Sequence, residues 1–184
     1  MAQYCIDTEV LRDYIPKLCA GDRVLLSGNV YTARDAAHKR IFELLDSGAP
    51  LPFDLKKAII YYAGPTPARE GMAVGSCGPT TSGRMNPFAP RLLDLGLPAI
   101  IGKGSMSDEV KAALVRNKAV YFCAVGGAGA LIAQCVKSSE EIAFSDLGCE
   151  SIKKMTIEEL PVTVALDCYG GDLYVQGCKQ FCII

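Results

Sequence analysis

Ala119-Val-Tyr-Phe-Cys-Ala-Val125 is an almost continuous apolar run, and it decides the fold class. Runs of this length and composition are typical of strands buried on both faces of a sheet. The glycine-rich segment Gly126–Leu131 follows and opens a helical pattern that extends to about Lys137. Its glycines do not have the GxGxxG spacing, and no acidic residue follows at the distance that a dinucleotide site requires. We therefore interpret them as a close turn between a strand and a helix.

Segments with helical and strand patterns alternate on both sides of this run. Helices are predicted at Thr8–Lys17, from near Ala33 (with Thr32 as the cap) to Gly48, at Pro87–Leu95 and at Ser107–Asn117. Strands are predicted at Arg23–Ser27, at the end of Leu55–Tyr62, and at Met72–Ser76, Pro98–Ile101, Glu141–Phe144, Val162–Asp167 and Asp172–Val175, the last two joined by a Gly170-Gly171 hairpin turn. This alternation predicts an α/β fold with a mixed sheet and flanking helices. The sequence of 184 residues contains no linker-like segment, so we expect a single domain over residues 1–184.

The composition indicates a globular protein, because 50% of the residues are hydrophobic and 21% are charged. The formal net charge of -1 argues against nucleic-acid binding as the main activity. The longest apolar runs are far too short to cross a bilayer, and the first residues have no signal-peptide pattern. We therefore expect a cytoplasmic protein without a membrane partner.

The nine cysteines are scattered and form no CxxC pair; Cys178 and Cys182 are the closest two. This density is below that of a disulfide scaffold, so we expect reduced thiols. Cys123, Cys135 and Cys168 lie inside apolar runs and are interpreted as small core residues. Iron-sulfur and zinc sites usually show closely spaced cysteines, so we expect no metal site built by this chain alone.

The loop Gly75-Ser-Cys-Gly-Pro-Thr-Thr-Ser-Gly-Arg-Met-Asn86 is the main functional candidate in the sequence. Thr80 and Thr81 offer hydroxyl groups, and Arg84 offers a planar fork that suits a carboxylate or a phosphate. The loop could equally be a tight connection that ends in a helix cap, because glycine, proline, threonine and serine are all common in such turns.

Two further stretches place charged residues where a strand ends. Arg34, Asp35 and His38 lie in the first turns of a predicted helix, where backbone N–H groups favour anions. Lys103 lies between two glycines directly after a predicted strand. Each has a simpler interpretation, because a single histidine is often a hydrogen-bonded structural residue and a lysine at this place is often only solvated.

The combined motifs resemble the β-type, C-terminal part of the iron-sulfur class I fumarases and L-tartrate dehydratases. The resemblance covers Gly28 to the end of the chain and is carried by Ala33-Arg-Asp-Ala-Ala-His38, Gly64-Pro-Thr-Pro67, Gly78-Pro-Thr-Thr-Ser-Gly-Arg-Met85, Gly102-Lys-Gly104 and Val125-Gly-Gly127. It implies a swivelling β/β/α domain. It also implies a separate α subunit that carries a [4Fe-4S] cluster on three cysteines, and an oligomeric enzyme.

The resemblance also implies roles for matching residues. Arg34 and Arg84 would hold the carboxylates of a small dicarboxylate substrate, Thr80 would abstract a proton, and Lys103 would be a further active-site cation. Thr81 would contribute a hydrogen bond, and Asp35 and His38 would support Arg34.

The expected reaction is the reversible hydration of fumarate to L-malate, catalysed by this β subunit together with the α subunit. Gly83 and the Gly64–Pro67 loop resemble fumarase more than L(+)-tartrate dehydratase, in which we expect a bulkier residue before the arginine. Conversion of tartrate to oxaloacetate remains the alternative. A non-catalytic module that binds a small anion is the hypothesis from another class.

Overall fold

Five parallel strands form the centre of the fold in the computed structural model, which describes residues 1–182. They are β1 (Gln3–Asp7), β2 (Arg23–Thr32), β3 (Ile59–Tyr61), β4 (Ala99–Gly102) and β5 (Val120–Cys123). Each strand pairs in parallel with the next, so the order in the sheet follows the order in the chain. The carboxyl ends of β2, β3, β4 and β5 therefore lie along one edge of the sheet, where functional residues of α/β proteins are usually found, whereas β1 ends beside Ser27 in the middle of β2.

Two antiparallel strands complete the sheet, β6 (Val136–Ala143) and the 15-residue β7 (Ile152–Leu166). β7 pairs with both β5 and β6, and it also pairs with β2 from Arg23 to Tyr31. The pairings β2–β3–β4–β5–β7–β2 thus form a closed cycle, from which β1 and β6 extend. The expected mixed sheet is confirmed.

Helices flank this sheet, as expected for the α/β class. They are α1 (Leu11–Tyr14), α2 (Asp35–Ser47), α3 (Ala89–Asp94), α4 (Asp108–Arg116), α5 (Gly129–Cys135) and α6 (Leu173–Phe181). Short 3-10 turns occur at Thr8–Val10, Ile15–Lys17, Leu55–Lys57, Ser82–Met85 and Ser145–Glu150. None of the helices within residues 1–182 has the length and apolar character needed to cross a membrane.

The core consists of two apolar clusters on opposite faces of β3, β4 and β5. Ile59, Ile101 and Phe122 pack with apolar residues of β2 and β7 in one cluster. Ile60, Ile100 and Tyr121 face the other way and pack with residues of α2, α3 and α4. Burial on both faces explains why the sequence around β5 is continuously apolar rather than alternating.

Three local predictions were wrong. Met72–Ser76 is not a strand but an irregular loop segment. At its end, the N–H of Gly75 donates to the carbonyl of Thr66, and the carbonyl of Ser76 accepts the N–H of Thr66. Asp172–Val175 is not a strand either, because the Asp172 carboxylate accepts the N–H groups of Tyr174 and Val175 and begins α6.

Thr32 does not cap the helix that follows β2. Its hydroxyl group donates to the carbonyl of Ser151 at 3.2 Å and accepts the N–H of Lys153 at 2.9 Å, so it joins β2 to β7. The helix begins at Asp35 instead of near Ala33.

Candidate active site

The ends of the parallel strands bring the predicted site residues to one edge of the sheet. Arg34 follows β2, and Lys103 follows β4 directly. The segment from Thr80 to Arg84 crosses this edge. The N–H of Thr80 donates to the carbonyl of Tyr62 at 2.7 Å, and the N–H of Ser82 donates to the carbonyl of Lys103 at 2.9 Å. The main candidate loop is therefore attached to the ends of β3 and β4.

Ser82 is the buried anchor of this segment, with no exposed surface. Its hydroxyl oxygen accepts the N–H of Lys103 at 3.0 Å and lies 2.9 Å from the hydroxyl of Tyr121. Tyr121 in turn donates to the carbonyl of Gly104 at 2.8 Å. A Cβ atom at Gly102 would collide with the Ser82 hydroxyl, so close packing of the two segments requires glycine here.

The side chain of Lys103 extends along the backbone that follows β5. A Cβ atom at Gly126 would lie 3.3 Å from Lys103 Cδ and 3.6 Å from its Nζ. Lys103 makes no ion pair with any residue in 1–182, so its ammonium group is available to an anion. Thr81 pairs with Lys103 as an isolated parallel bridge, and its residue surface is exposed.

Arg84 connects two other predicted site residues. Its Nη2 atom donates to Thr80 Oγ1 at 2.5 Å and lies 3.5 Å from Asp35 Oδ2. The arginine side chain is 47% exposed, so its remaining N–H groups can reach a ligand. We expected Asp35 to support Arg34, but its carboxylate lies beside Arg84.

Arg34 is held on two sides. Its Nη2 atom forms an ion pair with Glu150 Oε1 at 3.3 Å. On the other side it lies against Gly64, where an added Cβ atom would be 2.8 Å from Arg34 Nη1. The Nε atom is buried and has no hydrogen-bond partner among residues 1–182. The guanidinium is thus restrained on two sides, and because the side chain is 22% exposed, its terminal N–H groups can still meet a carboxylate.

His38 is fully buried and contacts Arg34 through the backbone. Its N–H and its Nδ1 atom both lie 2.8 Å from the carbonyl oxygen of Arg34, so Nδ1 carries the proton of the neutral ring. Burial lowers the pKa of His38 to about 4. The Nε2 atom and the nearby Tyr62 hydroxyl have no partner among residues 1–182. His38 is therefore a buried, neutral ring that contacts the backbone at the start of α2.

The contacts divide the seven predicted residues into two groups. Thr80, Arg84 and Asp35 touch through their side chains, and Thr81 and Lys103 join them through the backbone. Arg34 and His38 form the second group. The groups are linked because Arg34 and Asp35 are consecutive residues at the start of α2.

Three residues of this region have no assigned role in the sequence interpretation: Ser82, Tyr121 and Glu150. Ser82 lies inside the candidate loop, so its position was a usable signal. Tyr121 lies inside the apolar run of β5 and gives no separate signal. Glu150 is more than 100 positions from Arg34 in the chain, and only the fold brings them together.

Two cavities lie outside the cluster of predicted residues. One of about 380 Å³ adjoins the site, between the Pro65–Ala68 loop and the segment that contains Gly148 and Cys149. The other, of about 440 Å³, is lined by Lys57 and Pro98, which precede β3 and β4, and by Thr8 and Tyr31, which lie near the ends of β1 and β2. None of the seven predicted site residues lines this second cavity.

Residues 1–182 contain no group of three or more histidine, cysteine, aspartate or glutamate side chains arranged to hold a metal ion. All nine cysteines lie within this part of the chain, and each is a free thiol. Cys168 is buried as expected, whereas Cys123 and Cys135 are only half-buried.

Comparison with known proteins identifies the family. The sequence model described as "Fumarase C-terminus" matches residues 2–177, so the chain belongs to this family. The chain is 40% identical over 172 residues to the Methanocaldococcus jannaschii protein named "Putative L(+)-tartrate dehydratase subunit beta", covering 90% of this chain and 88% of that protein.

Two fumarate hydratases are also similar. "Fumarate hydratase 2" of Leishmania major is 37% identical over 166 residues, which cover 89% of this chain and 29% of that protein. "Fumarate hydratase class I, aerobic" of Escherichia coli strain K12 is 38% identical over 156 residues, which cover 84% of this chain and 28% of that protein. The chain therefore spans less than a third of these fumarate hydratases and most of the tartrate dehydratase subunit.

Proposed function

We propose that this chain is the β subunit of a two-subunit hydro-lyase that hydrates fumarate reversibly to L-malate, and that it acts as a single catalytic domain. The observation that carries the proposal is the 2.5 Å contact between Arg84 Nη2 and Thr80 Oγ1. This contact lies at the sheet edge where Lys103 and Arg34 are also found. Membership of the family supports the reaction class.

Arg34, Arg84 and Lys103 supply the positive charge that a dicarboxylate requires. Arginine can hold a carboxylate through two N–H groups with a fixed direction, whereas lysine acts as a point charge. The arginines belong to different elements, at the start of α2 and in the 3-10 turn Ser82–Met85. They can therefore bind the two ends of one molecule and orient the carbon between them.

Thr80 is the proposed acceptor of the proton that leaves carbon when malate is dehydrated. A threonine hydroxyl is a very weak acid in water, so an alkoxide at Thr80 requires stabilisation. The guanidinium of Arg84 donates directly to this oxygen, which favours its negatively charged form. Exclusion of water by a partner subunit would strengthen this effect.

We assign the [4Fe-4S] cluster to the α subunit, as the family resemblance implies. When bound there, an iron of the cluster would supply Lewis-acid chemistry for the departing hydroxyl group. The residues of this chain would bind the carboxylates and carry the proton. We further propose that the assembly is cytoplasmic and contains both kinds of chain.

L(+)-tartrate dehydratase is the second candidate function. One observation favours it, because the match with the Methanocaldococcus jannaschii subunit covers 88% of that protein. The chemistry required of Thr80, Arg84 and Lys103 is the same for both substrates. Tartrate differs from malate by one additional hydroxyl group, so a single loop residue could decide which is accepted.

The test is anaerobic mixing of this chain with an α subunit that carries the cluster, followed by assays with fumarate, L-malate and L-tartrate. We expect hydration of fumarate only in the mixture, and a higher kcat/KM for L-malate than for L-tartrate. Full turnover by this chain alone would refute the two-subunit proposal. A higher kcat/KM for L-tartrate would assign the chain to the second function.

The third hypothesis, a non-catalytic anion-binding module, is tested by Arg84→Ala in the same complex. Arg91→Ala is the matched control, because Arg91 is similarly exposed and pairs with Asp46 on the outer surface. The hydro-lyase proposal expects kcat/KM to fall about a hundredfold or more in Arg84→Ala and to remain unchanged in Arg91→Ala. Unchanged turnover in Arg84→Ala, with loss of anion binding, would favour the module.

A further inference from the structure

We infer that Glu150 is a positioning residue that sets the direction of the Arg34 guanidinium. Its two carboxylate oxygens have different partners at the start of α2. Oε1 lies 3.3 Å from Arg34 Nη2, and Oε2 accepts the N–H of Ala36 at 3.1 Å. One side chain therefore fixes both the helix start and the arginine that precedes it. The inference rests on the proposed role of Arg34 in substrate binding.

Glu150 supplies the side-chain capping bond at the start of α2, a bond that the residue before a helix usually supplies itself. Arg34 is the residue before α2 and makes no side-chain capping bond of its own. A carboxylate at this end of a 13-residue helix satisfies a free N–H group and interacts favourably with the helix dipole. The cap comes from the connection between β6 and β7, so it is supplied by tertiary structure.

The segment that presents Glu150 is itself held rigidly. Ser145–Glu150 contains Gly148 in an unusual backbone conformation, with φ 58° and ψ -116°. The carbonyl of Gly148 accepts hydrogen bonds from the Ser151 hydroxyl at 2.8 Å and from Lys153 Nζ at 2.9 Å. These bonds tie the segment to β7. Glu150 is thus a fixed reference point for Arg34 and not a mobile surface acid.

The geometry divides the donors of Arg34 between structure and ligand. Glu150 takes Nη2, and the backbone at Gly64 lies against Nη1. Nε is buried without a partner among residues 1–182, whereas the side chain as a whole is 22% exposed, so a carboxylate would reach the guanidinium through its terminal N–H groups. Arginine has several rotatable bonds, and a guanidinium already restrained by Glu150 loses less freedom when the substrate binds. Removal of the restraint should therefore weaken ground-state binding.

A second acid in the same segment provides a matched control. Asp146 forms an ion pair at 3.1 Å with Arg40, which lies on the same helix α2. Both side chains are largely exposed, at 62% for Asp146 and 41% for Arg40, whereas Glu150 and Arg34 are 25% and 22% exposed. An exposed ion pair of this kind contributes little to the free energy of unfolding. Asp146→Asn removes the same charge from the same segment without touching Arg34.

The experiment compares Glu150→Gln, Glu150→Asp and Asp146→Asn in the complex with the α subunit. The amide side chain introduced by Glu150→Gln has nearly the same shape and can still accept the N–H of Ala36, so folding should be preserved. We expect Glu150→Gln to raise KM for fumarate about tenfold, with a smaller change in kcat, and Glu150→Asp to retain part of the affinity. Asp146→Asn should leave both constants unchanged.

A second measurement uses this chain alone and needs no turnover. The Arg34 Nε–H group should give a distinct, slowly exchanging NMR signal, assigned by its loss in Arg34→Lys. We expect Glu150→Gln to move this signal into the range of the exposed arginines, and Asp146→Asn to leave it in place. An unchanged signal in Glu150→Gln would overturn the inference, as would a lowered KM, which would make Glu150 a competitor of the substrate.

The two measurements separate failure of this inference from failure of the proposed function. If the complex converts neither fumarate nor tartrate, the proposed function is refuted while the NMR signal still reports on Arg34. If the complex is active and the signal is unaffected by Glu150→Gln, only the positioning role is refuted.

Discussion

Arg84 and Thr80 are four residues apart in the sequence, and the Arg84 Nη2 atom lies 2.5 Å from the Thr80 hydroxyl oxygen. The backbone of Thr80 is bonded to Tyr62, and the segment is anchored through Ser82. These bonds hold the backbone on both sides so that the two side chains lie within reach of each other. A hydroxyl with a permanent cationic donor is suited to carry negative charge in a transition state.

Replacement of Thr80 by valine should remove the reactive oxygen with little change of shape. We expect kcat for fumarate hydration in the α–β complex to fall by a factor of about 10² to 10⁴, the usual contribution of a positioned acid or base. KM should change little, because the arginines remain. Thr80→Ser keeps the hydroxyl and should retain much of the activity. If kcat of Thr80→Val stays within a few-fold of the natural chain, another group takes the proton.

Gly83 should tolerate a side chain, and substitution there should change the choice of substrate. A Cβ atom at Gly83 would lie 3.8 Å from the Ser105 carbonyl oxygen and 3.9 Å from Asn86 Nδ2, which are ordinary contacts. We expect Gly83→Gln to fold with the same midpoint of thermal unfolding. The ratio of kcat/KM for L-tartrate to that for L-malate should rise about tenfold. A lower melting temperature together with an unchanged ratio would contradict this expectation.

Gly102→Ala should destabilise the chain, because the added methyl group would collide with the buried Ser82 hydroxyl. We expect the free energy of unfolding to fall by about 2 kcal/mol, as in other overpacked interiors. Gly177→Ala is the control, since Gly177 lies in α6 with no heavy atom near the new methyl group. That change should raise the free energy of unfolding by about 0.5 kcal/mol. Urea denaturation of both variants measures the difference, and equal effects would exclude the collision.

His38 should make the stability depend on pH below neutrality. Burial lowers the pKa of His38 from 6.5 to about 4, so the unfolded chain binds a proton that the folded chain rejects. The contribution of the neutral His38 ring to the free energy of unfolding is fully present above pH 6.5. It is lost as the pH falls towards 4, and the total loss is about 3 kcal/mol. Since this is the only histidine, its ring NMR signals should show no titration between pH 8 and 6, where a free histidine titrates.

The control for this dependence is His38→Gln. We expect the slope of the unfolding free energy between pH 6.5 and 5 to flatten in this variant, whatever its absolute stability. A slope that persists unchanged would assign the effect to other groups.

Much of the site was predictable because its positions follow from strand order. Arg34 and Lys103 each follow a strand, and parallel strands end at one edge, so their convergence requires only the correct fold class. The candidate loop was recognisable from its composition. The contact between Arg84 and Asp35 was not, because it depends on where the 3-10 turn Ser82–Met85 crosses the start of α2.

The C-terminal part of the chain was harder to predict. β7 contains Pro161, a residue that argues against a long strand when it is met in a sequence, and its backbone is irregular at Glu159, which has a φ of 50°. It is stabilised by pairing with three other strands, which is a tertiary property. In the same region, Gly170-Gly171 and the β-branched Val175 favour a hairpin. The Asp172 cap, a local signal that was present in the sequence, decides for the helix.

The contact between Arg34 and Gly64 has a consequence for selectivity. Because residue 64 lacks a side chain, the guanidinium lies directly on the backbone of the loop after β3. The position of the Arg34 guanidinium therefore depends on the absence of a side chain at residue 64. A single carbon added at position 64 would have to displace this guanidinium, so Gly64 is a place where one substitution could alter which carboxylates the chain accepts.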